Sequence, residues 1–136
     1  MNISRPPSAR GNERSGREDA EEKEVLDLNV RELAHVMALT EFIMPEPGRE
    51  VNGGYVGDLL SWVMGRAQTG NAWITIMSNQ NVAAVALMTE VACVILAEGV
   101  VPDETLRQRA EQQSVNILGT KMSAFDAAAA LKQLLR

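Results

Sequence analysis

From Val51 to the C-terminus, apolar and polar positions follow a repeating block pattern: an apolar extended run, a turn of small polar residues, then a helical stretch. Trp73-Ile74-Thr75-Ile76-Met77 leads into Ser78-Asn79-Gln80-Asn81, and Val91 to Leu96 leads into Gly99 and Pro102-Asp103-Glu104. Val115-Asn116-Ile117-Leu118 leads in turn into Gly119-Thr120-Lys121-Met122-Ser123. Short apolar runs alternating with helix-length segments are what parallel strands and their crossover helices require. The pattern therefore predicts a single small α/β domain, a mostly parallel sheet flanked by helices. Sheets of this kind gather functional loops at the carboxyl ends of their strands.

Upstream, Asn29 is the expected N-cap of a helix from Val30 to Met37, with Glu32 complementing the dipole in its first turn and Leu33, Val36 and Met37 on one face. Leu39 to Met44 alternates as a strand does, and Pro45-Glu46-Pro47-Gly48 ends it. Val51 to Gly57 is an extended segment loosened by three glycines. Asp58 is the expected cap of a helix carrying Leu59, Leu60, Trp62, Val63 and Met64, with Gly65 and Gly70 bracketing its exit. Val82 to Met88 is apolar on every side, so a helix there needs cover on more than one side. The sheet supplies one cover and a second subunit the other, which makes a homodimer the expected assembly. Glu104 to Gln113 reads as an outer, solvated helix. The last helix, Ala124 to Leu134, opens with Ser123 and Asp126 at capping-box spacing and carries Phe125, Ala128, Ala129 and Leu131 as its core stripe.

Composition narrows the function classes. A chain of 136 residues has room for one hydrophobic core. A net charge of −5 argues against a nucleic-acid surface, because displacing counterions from a duplex takes a basic face. The single Cys93 lies inside an apolar run, where it reads as a small buried hydrophobe with no disulfide partner in the chain. The longest purely apolar runs are far too short to span a bilayer, and no apolar segment lies near the start. The expectation is a cytoplasmic protein with no membrane contact. Residues 1–24 carry nearly balanced charges and a Pro-Pro pair, with Ile3 the only large aliphatic residue after the first methionine. Such a segment buries too little to offset its chain entropy, so 1–24 is expected to be a disordered tail, a docking arm or a solvated extension, ahead of a domain over 25–136.

Three turns carry polar residues that chemistry can use, and each also has a purely structural reading. In Gly53-Gly54-Tyr55-Val56-Gly57-Asp58 the glycines let a ligand approach the backbone, while Asp58, Tyr55 and Ser61 offer an acceptor, an aromatic plate and a hydroxyl. The same stretch serves equally as a strand-to-helix turn capped by Asp58. Its glycines do not fall as G-x-G-x-x-G, and no G-x-x-x-x-G-K-[ST] exists in the chain. Ser78 to Asn81 either caps the following helix or holds an anion at its N-terminus. Thr120 and Lys121 face the same strand-end edge, with Lys121 its only cation or simply a solvated lysine. His35 has no second His and no Cys nearby in sequence to complete a metal site, and no catalytic triad can be assembled from one His and one Cys. No catalytic residue, metal or cofactor is assigned.

The stretch Gly53-Gly54-Tyr55-Val56-Gly57-Asp58-Leu59-Leu60-Ser61-Trp62-Val63-Met64, with Trp73-Ile74-Thr75-Ile76 and Asn81-Val82-Ala83-Ala84-Val85-Ala86, resembles the stand-alone DRTGG-domain proteins of bacteria and archaea. The resemblance runs from about Leu26 to Leu135 and is most specific in Gly53 to Ser61. It implies a compact α/β domain similar to the N-terminal domain of HPr serine kinase, a unit also embedded in phosphotransacetylases and CBS-containing regulatory pyrophosphatases. Of the five residues behind the family's name, the Asp-Arg positions align with Ser78 and Asn79 and the Thr-Gly-Gly positions with Ala97, Glu98 and Gly99, so only Gly99 matches. With no P-loop in the chain, kinase activity is rejected. The reading is a non-catalytic regulatory or interaction module, a homodimer whose strand-end loops bind a small polar or nucleotide-like ligand or a protein partner. The ligand-binding set is Tyr55, Asp58, Ser61, Ser78, Asn81, Thr120 and Lys121. The alternatives are a minor enzyme using Asp58 or Lys121 on a small anionic substrate, or a structural subunit of a larger complex.

Overall fold

Asn29 opens the first helix with a reciprocal cap: its side chain accepts from the Glu32 N–H at 2.9 Å, and the Glu32 carboxylate accepts from the Asn29 N–H at 3.2 Å. The computed structural model describes residues 28–135. The expected tail over 1–24 and the domain boundary at 25 lie outside the described residues. Helix α1 (Val30–Val36) is followed by strands β1 (Thr40–Ile43) and β2 (Gly53–Val56) and helix α2 (Leu60–Arg66). Then come β3 (Asn71–Thr75), α3 (Asn81–Thr89), β4 (Cys93–Leu96), α4 (Glu104–Gln113), β5 (Ile117–Gly119) and α5 (Ala124–Leu134). Two more helices start on side-chain caps, Asp103 accepting from the Leu106 N–H and Ser123 from the Asp126 N–H.

The sheet runs β1-β5-β4-β3-β2, with β2, β3, β4 and β5 parallel and β1 antiparallel on β5. Each crossover from β2 to β5 steps one strand in the same direction, so crossovers of one hand place α2, α3 and α4 on one face. Val63, Val82, Val85, Leu106 and Ala110 of those helices pack there against Trp73, Val94, Leu96 and Ile117. On the opposite face, Val30, Leu33, Ala127 and Leu131 of α1 and α5 pack against Ala72, Ile74, Cys93, Ile95 and Leu118. Strands covered on both faces read as continuous apolar runs, which is why β3 and β4 stood out. Gly54 admits α5 onto edge strand β2, since a methyl group there would lie 2.6 Å from Leu131 Cδ2.

Three expectations change in the fold. Val36 and Phe125 point outward, 57% and 82% exposed, and the buried residues of α1 and α5 are Val30, Leu33 and Ala34, and Ala127 and Leu131. Helix α3 takes its lateral cover from its neighbours α2 and α4, leaving Leu87 and Met88 exposed. Asp58 caps no helix.

Burial pushes the Cys93 thiol from about 9 up to about 12, the nearby Arg49 charge pulling the other way. An unfolded chain gives up this proton near pH 9 while the folded one keeps it, so the folded state holds more protons and loses stability as pH rises. The loss should accumulate between about pH 9 and pH 12 to roughly 4 kcal/mol. Urea unfolding across that range should show a steeper alkaline decline in the natural protein than in Cys93→Ala. Parallel declines would mean that the thiol does not contribute.

Candidate functional site

Because β2 to β5 are parallel, the residues that follow them line one edge of the sheet, in the order Asp58, Ser78 to Asn81, Glu98-Gly99, Thr120-Lys121. Three strand spacings separate the two ends of this row, about 14 Å. Asp58 and Thr120 thus share an edge but stand apart, with the β3 and β4 turns between them.

At the β2 end, the Gly57 N–H donates to the Ile74 carbonyl at 3.1 Å and Trp73 Nε1 donates to the Gly57 carbonyl at 2.9 Å. This turn is pinned to β3, so Asp58 reaches across rather than along the chain: its Oδ1 accepts from Thr75 Oγ1 at 2.8 Å and from the Ile76 N–H at 3.0 Å. Helix α2 begins instead at Leu59, without a side-chain cap. Ser61 is exposed in its first turn. Tyr55 packs against the cluster under α2, α3 and α4, its ring over Gly57.

In the middle of the row, the Ser78 carbonyl accepts from the Asp103 N–H at 3.1 Å, joining the β3 and β4 turns. Asn79 Oδ1 accepts from the Asn81 N–H at 2.9 Å, so the helix-start role falls to Asn79. Gln80 takes the N-cap position of α3 with no side-chain bond to the helix, and its Oε1 accepts from Arg109 Nη2 at 3.2 Å. Glu98 and Gly99 both adopt positive φ, 61° and 73°, a turn that glycine accommodates at the second position. Their N–H groups donate to the Met122 and Thr120 carbonyls at 2.8 and 2.9 Å, and Thr120 Oγ1 accepts from the Met122 N–H at 3.1 Å. The β4 and β5 turns are thereby one unit, with Lys121 exposed beside them.

The edge is amphipathic. Val56, Leu59, Ile76 and Val101 follow or end the strands and are 46–60% exposed. Thr75 and Arg109 belong to the rim but were not among the sequence candidates. The threonine was visible as the one hydroxyl in an apolar strand, whereas Arg109 sits in a helix too rich in charge to single it out. A separate cavity of about 310 Å³ lies between β2 and α5, lined by Asn52, Gly54, Val56, Leu131 and Lys132, and of the candidate set only Tyr55 borders it. Among the described residues no cluster of three His, Cys, Asp or Glu side chains gathers to hold a metal, and no helix is long and apolar enough to cross a membrane.

Comparison with known proteins agrees with this architecture. The family model for the DRTGG domain matches residues 56–134. No curated protein matches the chain. Among solved structures, it is similar to the CBS and DRTGG domains of the regulatory region of Clostridium perfringens pyrophosphatase, complexed there with the activator diadenosine tetraphosphate. The TM-score is 0.60 at 16% identity, over 76% of this chain and 45% of that one. This chain therefore corresponds to less than half of that structure.

Proposed function

This chain belongs to the DRTGG-domain family, and we propose that it is a non-catalytic regulatory module that binds a nucleotide-like ligand along the carboxyl edge of its sheet. The observation that carries the reading is the row itself: four parallel strands end on one rim, tied turn to turn by backbone bonds, with Asp58, Ser78, Asn81, Thr120 and Lys121 spread along it. A rim about 14 Å long suits an extended ligand better than a compact one. Exposed Leu59 and Ile76 beside hydroxyl and amide groups suit a base and its polar substituents. Lys121 and Arg109 supply positive charge on an otherwise acidic chain. The activator in the pyrophosphatase complex is a molecule of this extended, nucleotide kind. The reading includes a cytoplasmic homodimer, supported by the exposed Leu87 and Met88 on α3.

Thermal shift with diadenosine tetraphosphate, adenine mononucleotides and acyl phosphates tests it. A ligand at a hundredfold its dissociation constant should add about 2.7 kcal/mol. Lys121→Gln should cost about tenfold in affinity, the worth of one charge-assisted hydrogen bond, without lowering the melting temperature of the free protein. Absence of any response across the panel, or affinity untouched by Lys121→Gln and Thr120→Val together, would move the ligand site elsewhere. Conversion of the bound ligand would replace the regulatory reading with the enzymatic one.

A further inference from the structure

The two lateral edges of the sheet differ. Strand β1 is interrupted by a register shift between Glu41 and Ile43 and followed closely by Pro45, features that keep an edge strand from pairing. Strand β2, Gly53–Val56, carries neither a charge nor a proline, and Gly54 and Val56 are exposed. One bond already reaches the outer side of this edge. The Val51 N–H donates to the Leu28 carbonyl at 2.7 Å, beside an antiparallel bridge between Asn29 and Glu50. Successive N–H groups of a strand point to opposite sides, and the next one, that of Asn52, donates toward β3, to the Gly70 carbonyl at 3.0 Å. Leu28 therefore lies on the side away from β3, and the chain upstream of it sets out antiparallel to β2. Among the described residues no strand pairs with β2 on that side.

The register follows from a bulge at the start of β2. Asn52 and Gly57 both donate toward β3, to the Gly70 and Ile74 carbonyls, although an odd number of positions separates them. Val51 packs in the cluster beneath α1 and α5, and a side chain at Gly54 would run into Leu131 of that same cluster, again an odd number of positions on. One extra residue between Val51 and Gly54 accounts for both, and past it the outward positions of the edge are Gly54 and Val56. Carried across the bulge, the pairing of Leu28 with Val51 sets Leu26 beside Gly54 and Glu24 beside Val56. Leu28 packs against the α1–α5 cluster, and the residue two before it in a strand shares its face. Leu26 then stands over Gly54, at the cavity of about 310 Å³ whose lining includes Leu131, Leu135 and Lys132. In Glu24-Val25-Leu26-Asp27 the sequence supplies an apolar residue for that cavity and an acidic one for its lysine.

We propose that residues 24–27 add a sixth strand to the sheet, antiparallel on β2, with the Leu26 side chain in the β2–α5 cavity and the Glu24 carboxylate toward Lys132. The occupant of this edge is the chain's own upstream segment, held by backbone bonds along β2 and by one apolar anchor. Running upstream, such a strand passes from Gly54 toward Val56, so it delivers the residues before 24 to the Asp58 end of the strand-end rim. It depends on no ligand at that rim, so either reading can fail without the other.

NMR on the isotope-labelled full chain tests this directly. Cross-strand nuclear Overhauser contacts should join Leu26 to Gly54 and Glu24 to Val56, and the Leu26 amide should exchange with solvent at least about tenfold more slowly than in an unstructured chain. Leu26→Asp should abolish these contacts and speed exchange at the Gly54 amide about tenfold, while the Val94 amide resonance in the middle of the sheet stays in place. Leu26→Met should keep the contacts. Absence of any contact between residues 24–27 and β2 in the natural chain would overturn the proposal, and that comparison stands even where Leu26→Asp fails to fold. Contacts and Gly54 exchange unchanged in a folded Leu26→Asp would overturn it as well. In a mixture of labelled and unlabelled chains, contacts at Gly54 or Val56 that join different copies would place a second copy on this edge and equally overturn it.

Discussion

Aspartate in place of Val85 should unfold the domain, and aspartate in place of Met88, one turn further along the same helix, should leave it folded. Val85 is 7% exposed and belongs to the cluster formed with Trp73, Val94 and Leu106, whereas Met88 is 67% exposed. A carboxylate at Val85 would be buried with no partner, at a cost of several kcal/mol, against a total stability of about 5–15 kcal/mol for a domain of this kind. Circular dichroism should show loss of the cooperative melt for Val85→Asp. Native-like melting of Val85→Asp would mean that α3 packs differently from the arrangement described. Light scattering on the natural protein and on Met88→Asp then tests the proposed homodimer: a natural dimer that becomes a folded monomer places Met88 in its contact, an unchanged dimer places the contact elsewhere, and a monomeric natural protein overturns the dimer.

Removing the Trp73 side chain should be nearly as damaging, for a different reason. Trp73 is fully buried, and its ring is the largest in the core. Trp73→Ala should cost about 3–5 kcal/mol through lost burial and the cavity left behind. Trp73→Phe is the more informative variant. It keeps most of the apolar volume but loses the Nε1 bond to the Gly57 carbonyl, for a cost of about 1–2 kcal/mol. That bond holds the turn from which Asp58 reaches Thr75 and Ile76. In the phenylalanine variant the Ile76 amide, which donates to Asp58, should exchange with solvent faster than the stability loss alone explains. Equal protection, once corrected for global stability, would show that the turn is held by its backbone bond to Ile74 instead.

Interactions within four residues were legible in the amino-acid order. The Asn29 cap of the first helix and the Ser123–Asp126 pair of the last each join positions three apart and were expected, because such caps depend on side-chain chemistry and helix geometry alone; Asp103 capping toward Leu106 is of the same kind but was not singled out. The parallel sheet was legible for a related reason: strands buried on both faces must be apolar throughout, and turns between them must be polar. The common edge of Asp58, Ser78, Asn81, Thr120 and Lys121 follows from that order.

What the order of residues left open was which partner a side chain finds across the fold. Asp58 reads as a cap because aspartate before a helix commonly is one; it becomes a strap because Trp73 and Ile74 draw its turn onto β3, and its partner Thr75 lies 17 positions away. Asn116 reads as one polar residue in a strand, yet it clasps Glu46 across 70 positions. Phe125 and Val36 carry the right character for a core and face outward because the sheet they would cover is already occupied by their helical neighbours. Helix α3 is apolar all round as the sequence required, and only the one-directional order β2-β3-β4-β5 decided that α2 and α4 would flank it. Periodicity and capping depend on neighbours along the chain, so sequence alone determines them. Strand order and the antiparallel bond of Val51 to Leu28 depend on how distant segments pack, and only the tertiary structure decides them.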